Sequence, residues 1–122
     1  MTEPTPVATL EPIKIQLVEE IDQLLRGSQD KPLLIFKHSL ICPTSTAAFE
    51  RYQRFLAGHD VPEATFTLVE IQRARDVSKR IAELTGVKHE SPQAILVRKG
   101  QPVWDASHWA ITEDSLAEAF AS

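Results

Sequence analysis

The chain has 122 residues, of which 43% are hydrophobic and 25% are charged, as expected for one globular domain with a conventional core. Its formal net charge is −4, and its basic residues are dispersed among acidic ones, which argues against binding to nucleic acid. Purely apolar runs such as Leu33 to Phe36 are far shorter than the ~20 residues of a membrane span, and residues 1 to 6 do not resemble a secretory signal. We therefore expect a cytoplasmic monomer with no nucleic-acid or membrane partner.

The amino-terminal third predicts a leader and a first helix. Residues 1 to 12 contain three prolines and no periodicity, so we expect a flexible leader before a domain at residues 13 to 122. A short strand at Ile13 to Gln16 is a candidate first element. From Leu17 the apolar residues follow a helical period, and Gly27 suits the end of this helix.

The next two elements meet near the only cysteine of the chain. Leu33 to Phe36 is a continuous apolar run, which is typical of a central strand that is buried on both faces. A helical apolar spacing then ends near Gly58 and comprises Ala48, Tyr52, Phe55 and Leu56. Cys42 is therefore expected where the strand gives way to the helix.

The carboxy-terminal half predicts two further helices and a hairpin. Thr65 to Ile71 reads as a second inner strand, and the helix that follows it ends at Gly86. The charged residues between positions 70 and 80 are interpreted as a solvated helix face. Strands at Ala94 to Val97 and Val103 to Ser107 are joined by a turn so short that they must pair antiparallel. Thr112 is expected to cap the last helix.

This order of elements predicts an α/β fold. Helices between successive strands require parallel inner strands, and the hairpin adds an antiparallel edge to the same sheet. In such sheets ligands collect beyond the carboxyl ends of the strands, where the next helix begins. Cys42 lies at that position, so the amides and the dipole at the start of the helix should favour its thiolate. Pro43 suits the first turn because its missing N–H costs nothing there.

The run from Cys42 to Ser45 is a Cys-x-x-Ser motif, which is a redox motif whose second cysteine is replaced by a hydroxyl. Such a site can hold a mixed disulfide but needs an external thiol to resolve it. Ser45 is expected either to donate a hydrogen bond to the thiolate or to cap the helix, with Thr44 acting less directly. A simple role as a helix-start residue is the alternative for Ser45.

A second element of the site is Ser91-Pro92, just before the strand at Ala94. Its position corresponds to the cis-proline loop that faces the active-site cysteine in thioredoxin-like folds. Only ~5–6% of X-Pro bonds are cis, so this prediction depends on the topology. With Pro92 in cis, Ser91 would offer its backbone to an incoming disulfide.

Several segments together resemble the monothiol bacilliredoxins, the YtxJ-like family, over most of the chain from about Ile13 to Phe120. The segments are Phe36 to Ser39, Cys42 to Ser45, His89 to Ala94 and Val103 to His108. The resemblance implies a thioredoxin fold and removal of bacillithiol from mixed disulfides on proteins. It also implies that Cys42 is the attacking residue and that Pro92 is the loop proline. Bacillithiol would be a co-substrate, S-bacillithiolated proteins would be the partners, and no bound cofactor or metal is needed.

Other interpretations remain open. Cys42 could be a small core residue, or it could be modified under stress in a redox-sensing module that binds a partner without turnover. A thiol peroxidase or an arsenate-reductase-like activity would also use a cysteine at a strand end. His38, His89 and His108 are expected to be solvent-facing or locally bonded, and Trp104 and Trp109 are expected to pack in the core or at an edge.

Overall fold

Five strands form one mixed sheet in a computed structural model that describes residues 11–58 and 61–121. The expected flexible leader lies outside the described residues up to position 10. The strands are β1 (Ile13–Lys14), β2 (Leu33–His38), β3 (Thr65–Glu70), β4 (Gln93–Arg98) and β5 (Gln101–Ser107).

Four α-helices connect and flank these strands in the described part of the chain. They are α1 (Val18–Gly27), α2 (Pro43–Leu56), α3 (Arg75–Thr85) and α4 (Glu113–Ala121), and a short 3-10 helix, His108–Ala110, precedes the last one. None of the helices in these ranges is long and apolar enough to cross a membrane.

The strand order is β1-β3-β2-β4-β5. β1 and β2 both pair parallel with β3, whereas β4 pairs antiparallel with β2 and forms a hairpin with β5. Helical crossovers account for the parallel strands, and the tight turn accounts for the hairpin, so the predicted α/β arrangement is confirmed. The candidate first strand is present but shorter than predicted.

Strand β2 is buried on both faces because helices cover the sheet on both sides. Leu34 and Phe36 belong to a core cluster that includes residues of α2 and α4. Leu33 and Ile35 point the other way, into a second cluster that includes residues of α1 and α3. The alternation of side chains along a strand thus divides one apolar run between two cores.

The helix ends follow the local chemistry that the sequence predicts. Gly86 ends α3 in the left-handed conformation, with φ 72°. At the start of α4, the Thr112 hydroxyl accepts from the Ser115 N–H and the Ser115 hydroxyl accepts from the Thr112 N–H, both at 2.9 Å. These bonds satisfy amides that have no partner inside the helix.

Candidate thiol site

Cys42 immediately precedes α2 and has an extended backbone, with φ −100° and ψ 121°. Pro43 is the first residue of the helix, where its fixed φ suits helix entry. The Cys42 carbonyl accepts the Thr46 N–H at 3.1 Å, which closes the first helical turn. Cys42 is a free cysteine and is partly exposed. It lies at the amino end of a 14-residue helix.

Ser45 is fully buried, and its hydroxyl contacts the loop that precedes Cys42. The Ser39 N–H donates to Ser45 Oγ at 2.8 Å, and His38 Nδ1 lies 2.9 Å from the same oxygen. These partners are neither the Cys42 sulfur nor an amide of α2, so neither expected role of Ser45 is seen. One turn into the helix, the side chain of residue 45 points back toward the end of β2.

His38 is buried at the end of β2 and packs on Phe49, with 4.7 Å between the ring centroids. Burial lowers the pKa of His38, and the nearby Glu70 charge and the hydrogen bond with Ser45 partly oppose this effect. A neutral imidazole allows Nδ1 to accept the Ser45 O–H while Ser45 Oγ accepts the Ser39 N–H. His38 and Ser45 therefore hold the loop before Cys42 through one continuous set of hydrogen bonds.

The Ser91-Pro92 peptide bond is cis, as the topology predicts. Gln93 pairs with Lys37 at the end of β2, so the Ser91-Pro92 loop lies at the same sheet edge as the segment leading to Cys42. The Pro92 carbonyl accepts the His108 N–H at 3.1 Å. Within residues 11–58 and 61–121, no hydrogen bond involves the backbone of Ser91, and its buried hydroxyl oxygen has no partner.

Gln72, which was not among the predicted site residues, holds this loop from the β3 side. Its Oε1 accepts the Leu40 N–H and its Nε2 donates to Ser39 Oγ, both at 2.9 Å. Beside these bonds, Ile41 is 83% exposed next to Cys42, and Thr44 is half-buried. The sequence did offer one indication that Gln72 lies near Cys42. Gln72 follows β3, and β3 ends at the same sheet edge as its parallel neighbour β2.

A buried cation lies behind the same edge. Lys37 is fully buried, and its Nζ donates to the Ser78 carbonyl and to His89 Nδ1, both at 3.2 Å. Desolvation lowers the pKa of Lys37 to about 8. Burial and the Lys37 charge lower the pKa of His89, against a smaller opposing effect of Glu90.

The remaining aromatic and histidine residues have separate local roles. Trp104 packs against the α2–α4 core, as expected, whereas Trp109 is 63% exposed and lies under the Arg51 guanidinium at 5.1 Å. Trp109 lies in the 3-10 helix and, within the described part of the chain, does not belong to either core cluster. His108 is exposed and lies 3.3 Å from Glu90. Nowhere in the described ranges do three or more acidic, histidine or cysteine side chains form a metal site.

The sheet order, the cysteine at the start of α2 and the cis-proline before β4 define a thioredoxin-fold protein. Solved structures agree with this class. Thioredoxin from Trypanosoma brucei brucei is 11% identical, with a TM-score of 0.74 over 98% of this chain and 100% of that one. Malassezia sympodialis thioredoxin is 13% identical, with a TM-score of 0.72 over 91% and 89% of the two chains. Identities this low support the fold alone.

Two comparisons are more specific. A structure described provisionally as an oxidoreductase with a thioredoxin fold is 35% identical, with a TM-score of 0.79 over 89% of this chain and 93% of that one. The model of the family described as Monothiol bacilliredoxin BrxC matches residues 13–116. The chain therefore belongs to the monothiol bacilliredoxin family of thiol–disulfide oxidoreductases, and the resemblance seen in the sequence is confirmed.

Proposed function

We propose that this protein removes bacillithiol, or a similar small thiol, from mixed disulfides on other proteins, with Cys42 as the nucleophile. The observation that carries the proposal is the partly exposed Cys42 thiol at the amino end of α2, in a chain of the bacilliredoxin family. This position lies at the sheet edge where β2 ends and the next helix begins, which is where ligands meet such sheets. The thiolate is the form that attacks disulfides.

In the first step, the Cys42 thiolate attacks the bacillithiol sulfur of the mixed disulfide. The new bond joins Cys42 to bacillithiol, and the bond that breaks releases the target protein as its thiolate. The target sulfur is thereby reduced, and Cys42 is left capped. No second thiol of this chain can displace the cap, because Cys42 is its only cysteine.

In the second step, the thiolate of another bacillithiol molecule attacks the sulfur of the cap. Cys42 leaves as a thiolate, and the two bacillithiol sulfurs form a small-molecule disulfide. The net reaction exchanges one disulfide for another, so the second bacillithiol is the reductant: its thiolate is oxidised to the disulfide level while the target sulfur leaves as a thiol. A separate reductase must recycle the product, and the protein itself needs no bound cofactor.

The loop at Ser91-Pro92 is proposed to align the substrate. The backbone N–H and C=O of Ser91 make no hydrogen bond to the described residues, so both can pair with an extended target segment. Pro43 and Thr44 lie beside Cys42 on the outer side of α2 and would contact the disulfide directly. Ser45 is left out of this contact set because it is fully buried. The need for a small reduced thiol fits the expected cytoplasmic location.

The direct test is to incubate the protein with a purified bacillithiolated target and bacillithiol, and to follow both proteins by mass spectrometry. We expect repeated release of reduced target, with transient capping of Cys42. A Cys42→Ser variant should release target no faster than bacillithiol alone, because serine provides no thiolate at neutral pH.

A Gln53→Ala variant serves as the matched control, since Gln53 is exposed further along the same helix. It should keep the wild-type rate. Equal release by the Cys42→Ser variant would refute the proposed mechanism. Stoichiometric capping of the wild type that excess bacillithiol cannot reverse would favour the redox-sensing module instead.

A further inference from the structure

A cavity of about 380 Å³ opens between α3 and the loops at the site edge. The surface of the cavity is mostly apolar and includes Ile71 and Ala82, and the side chains of Gln72, Arg75, Lys79 and His89 also line it. The sequence interpretation of this part of α3 as a solvated face therefore misses a concave surface.

Every titratable side chain that lines this cavity is basic, although the chain as a whole has a net charge of −4. Within the described ranges, no ion pair involves Arg75 or Lys79. Lys37 is a further, buried cation next to the cavity, since its Nζ contacts the ring of His89, which lines the cavity.

The acidic residues near the cavity have other partners. Glu70 pairs with Lys14 at 3.3 Å and with Arg73 at 3.6 Å. Glu83 lies 3.9 Å from Arg80, and the Asp76 carboxylate accepts the N–H of Val77. Glu90 lies beside His108. The cavity thus offers positive charge that these carboxylates leave free for an anion.

One side chain, Gln72, joins the cavity to the loop before Cys42. Gln72 lines the cavity and also binds the Leu40 N–H, which is two residues before Cys42. His89 lines it two residues before Ser91. Because consecutive Cα atoms are about 3.8 Å apart, the Gln72 amide lies within about 12 Å of the Cys42 backbone. A small thiol that is bonded to the sulfur therefore has Gln72, one of the residues that line the cavity, within its reach.

We propose that this cavity binds the carboxylates of the small thiol while its sulfur is bonded to Cys42. This inference rests on the proposed function and specifies its substrate class as a thiol with anionic groups remote from its sulfur. Bacillithiol has that form, since it links cysteine through glucosamine to malate, which carries two carboxylates. The guanidinium of Arg75 can bind a carboxylate through two parallel hydrogen bonds, and Lys79 adds a point charge. The apolar part of the cavity provides a surface for the sugar.

The test is a competition for Cys42 that needs no target protein. The protein is equilibrated with equal concentrations of bacillithiol and uncharged 2-mercaptoethanol, together with their disulfides, and the two capped masses are counted. An Arg75→Gln/Lys79→Gln double variant should shift the ratio of caps at least about tenfold toward 2-mercaptoethanol, because a charge-assisted hydrogen bond contributes on the order of tenfold in affinity.

An Arg26→Gln/Arg54→Gln double variant is the matched control. It removes the same charge from exposed positions on α1 and α2, and it should keep the wild-type ratio of caps. A wild-type ratio in the Arg75→Gln/Lys79→Gln variant would overturn the inference. The same loss in the control variant would also overturn it, because general charge attraction would then explain the preference.

The two experiments distinguish failure of the proposed activity from failure of the cavity assignment. If the wild type selects bacillithiol in the competition but does not release a bacillithiolated target, the cavity assignment stands and the activity does not. If it releases the target but shows no dependence on Arg75 and Lys79, the activity stands and the cavity assignment falls.

Discussion

Ser45 stands where a dithiol motif has its second cysteine, and its environment suits a hydroxyl. It is fully buried, accepts the Ser39 N–H and bonds to the ring of His38. A thiol is a weaker hydrogen-bond partner than a hydroxyl, so a cysteine would satisfy these groups less well. The hydroxyl that makes this a monothiol site therefore also stabilises the loop before Cys42.

A Ser45→Ala variant should lower the free energy of unfolding by about 1–3 kcal/mol, because it leaves the buried Ser39 N–H without a partner. Denaturant unfolding measures this loss. Thr46→Ala, at the exposed next position, should cost less than about 0.5 kcal/mol. If the two variants were equally stable, the hydrogen bonds of Ser45 would make no measurable contribution to the free energy of unfolding.

Cys42, Pro43 and Pro92 could be located from the sequence because each has a local signature at an element boundary. The hydrogen-bond partners of Gln72 and Lys37 could not be predicted, because they are distant in the chain, although the position of Gln72 after an inner strand placed it at the same sheet edge. Gln72 binds Leu40 across 32 positions, and Lys37 reaches His89 across 52. No periodicity encodes a single side chain that spans two loops.

At the scale of elements, Gly86 shows how one residue ends a helix. Its φ of 72° lies in the left-handed region, and a Cβ added there would meet no atom within 4 Å. The position therefore requires glycine for its backbone conformation and not for space.

A Gly86→Ala variant should be less stable by about 1 kcal/mol, which is the cost of a left-handed conformation for an L-residue with a side chain. Gly27→Ala is the matched control, because Gly27 ends α1 without a positive φ and also has free space around it. It should be neutral or slightly stabilising. Thermal unfolding of both variants tests the contrast, and equal melting temperatures would contradict it.

The element boundaries that the sequence missed have a common physical cause. Strand β2 extends beyond the apolar run to Lys37 and His38, whose polar side chains are nonetheless buried. A pattern based on hydrophobicity ends a strand at its first charged residue. Here tertiary hydrogen bonds to Ser78, His89 and Ser45 satisfy the polar groups, so the strand continues.

At the scale of the whole molecule, the buried Lys37 links stability to pH. Its pKa in the folded protein is about 8, compared with the ordinary value of 10.5. Below pH 8 both states are protonated and the folded state carries the full cost of the buried charge. Between about pH 8 and 10.5 the unfolded chain binds more protons, so this contribution makes the folded state more stable as pH rises.

Relative to a Lys37→Met variant, the wild type should therefore gain up to about 3 kcal/mol of unfolding free energy between pH 7.5 and 10.5, since one pKa unit corresponds to about 1.4 kcal/mol. Denaturant unfolding across this range measures the difference. Lys31→Met, at an exposed position, should parallel the wild type. A constant difference between wild type and Lys37→Met would show that Lys37 does not titrate abnormally.

The architecture as a whole could be predicted from the sequence, because the order of elements leaves few sheet topologies. The apolar run at Leu33 to Phe36 required a strand with helices on both faces, and the turn at residues 99 to 101 required the hairpin. The cavity beside α3 could not be predicted. It arises from the spacing between packed elements, which no single segment determines.

The single thiol of this chain also determines how the protein responds to oxidation. With Ser45 in the buried place one turn beyond it, an oxidised Cys42 has no internal thiol with which to close a protective ring. A sulfenic acid there either condenses with a soluble thiol or is oxidised further by peroxide to a sulfinic acid, which cells rarely repair. The supply of soluble thiol would then govern how long each copy survives, as well as how fast it turns over.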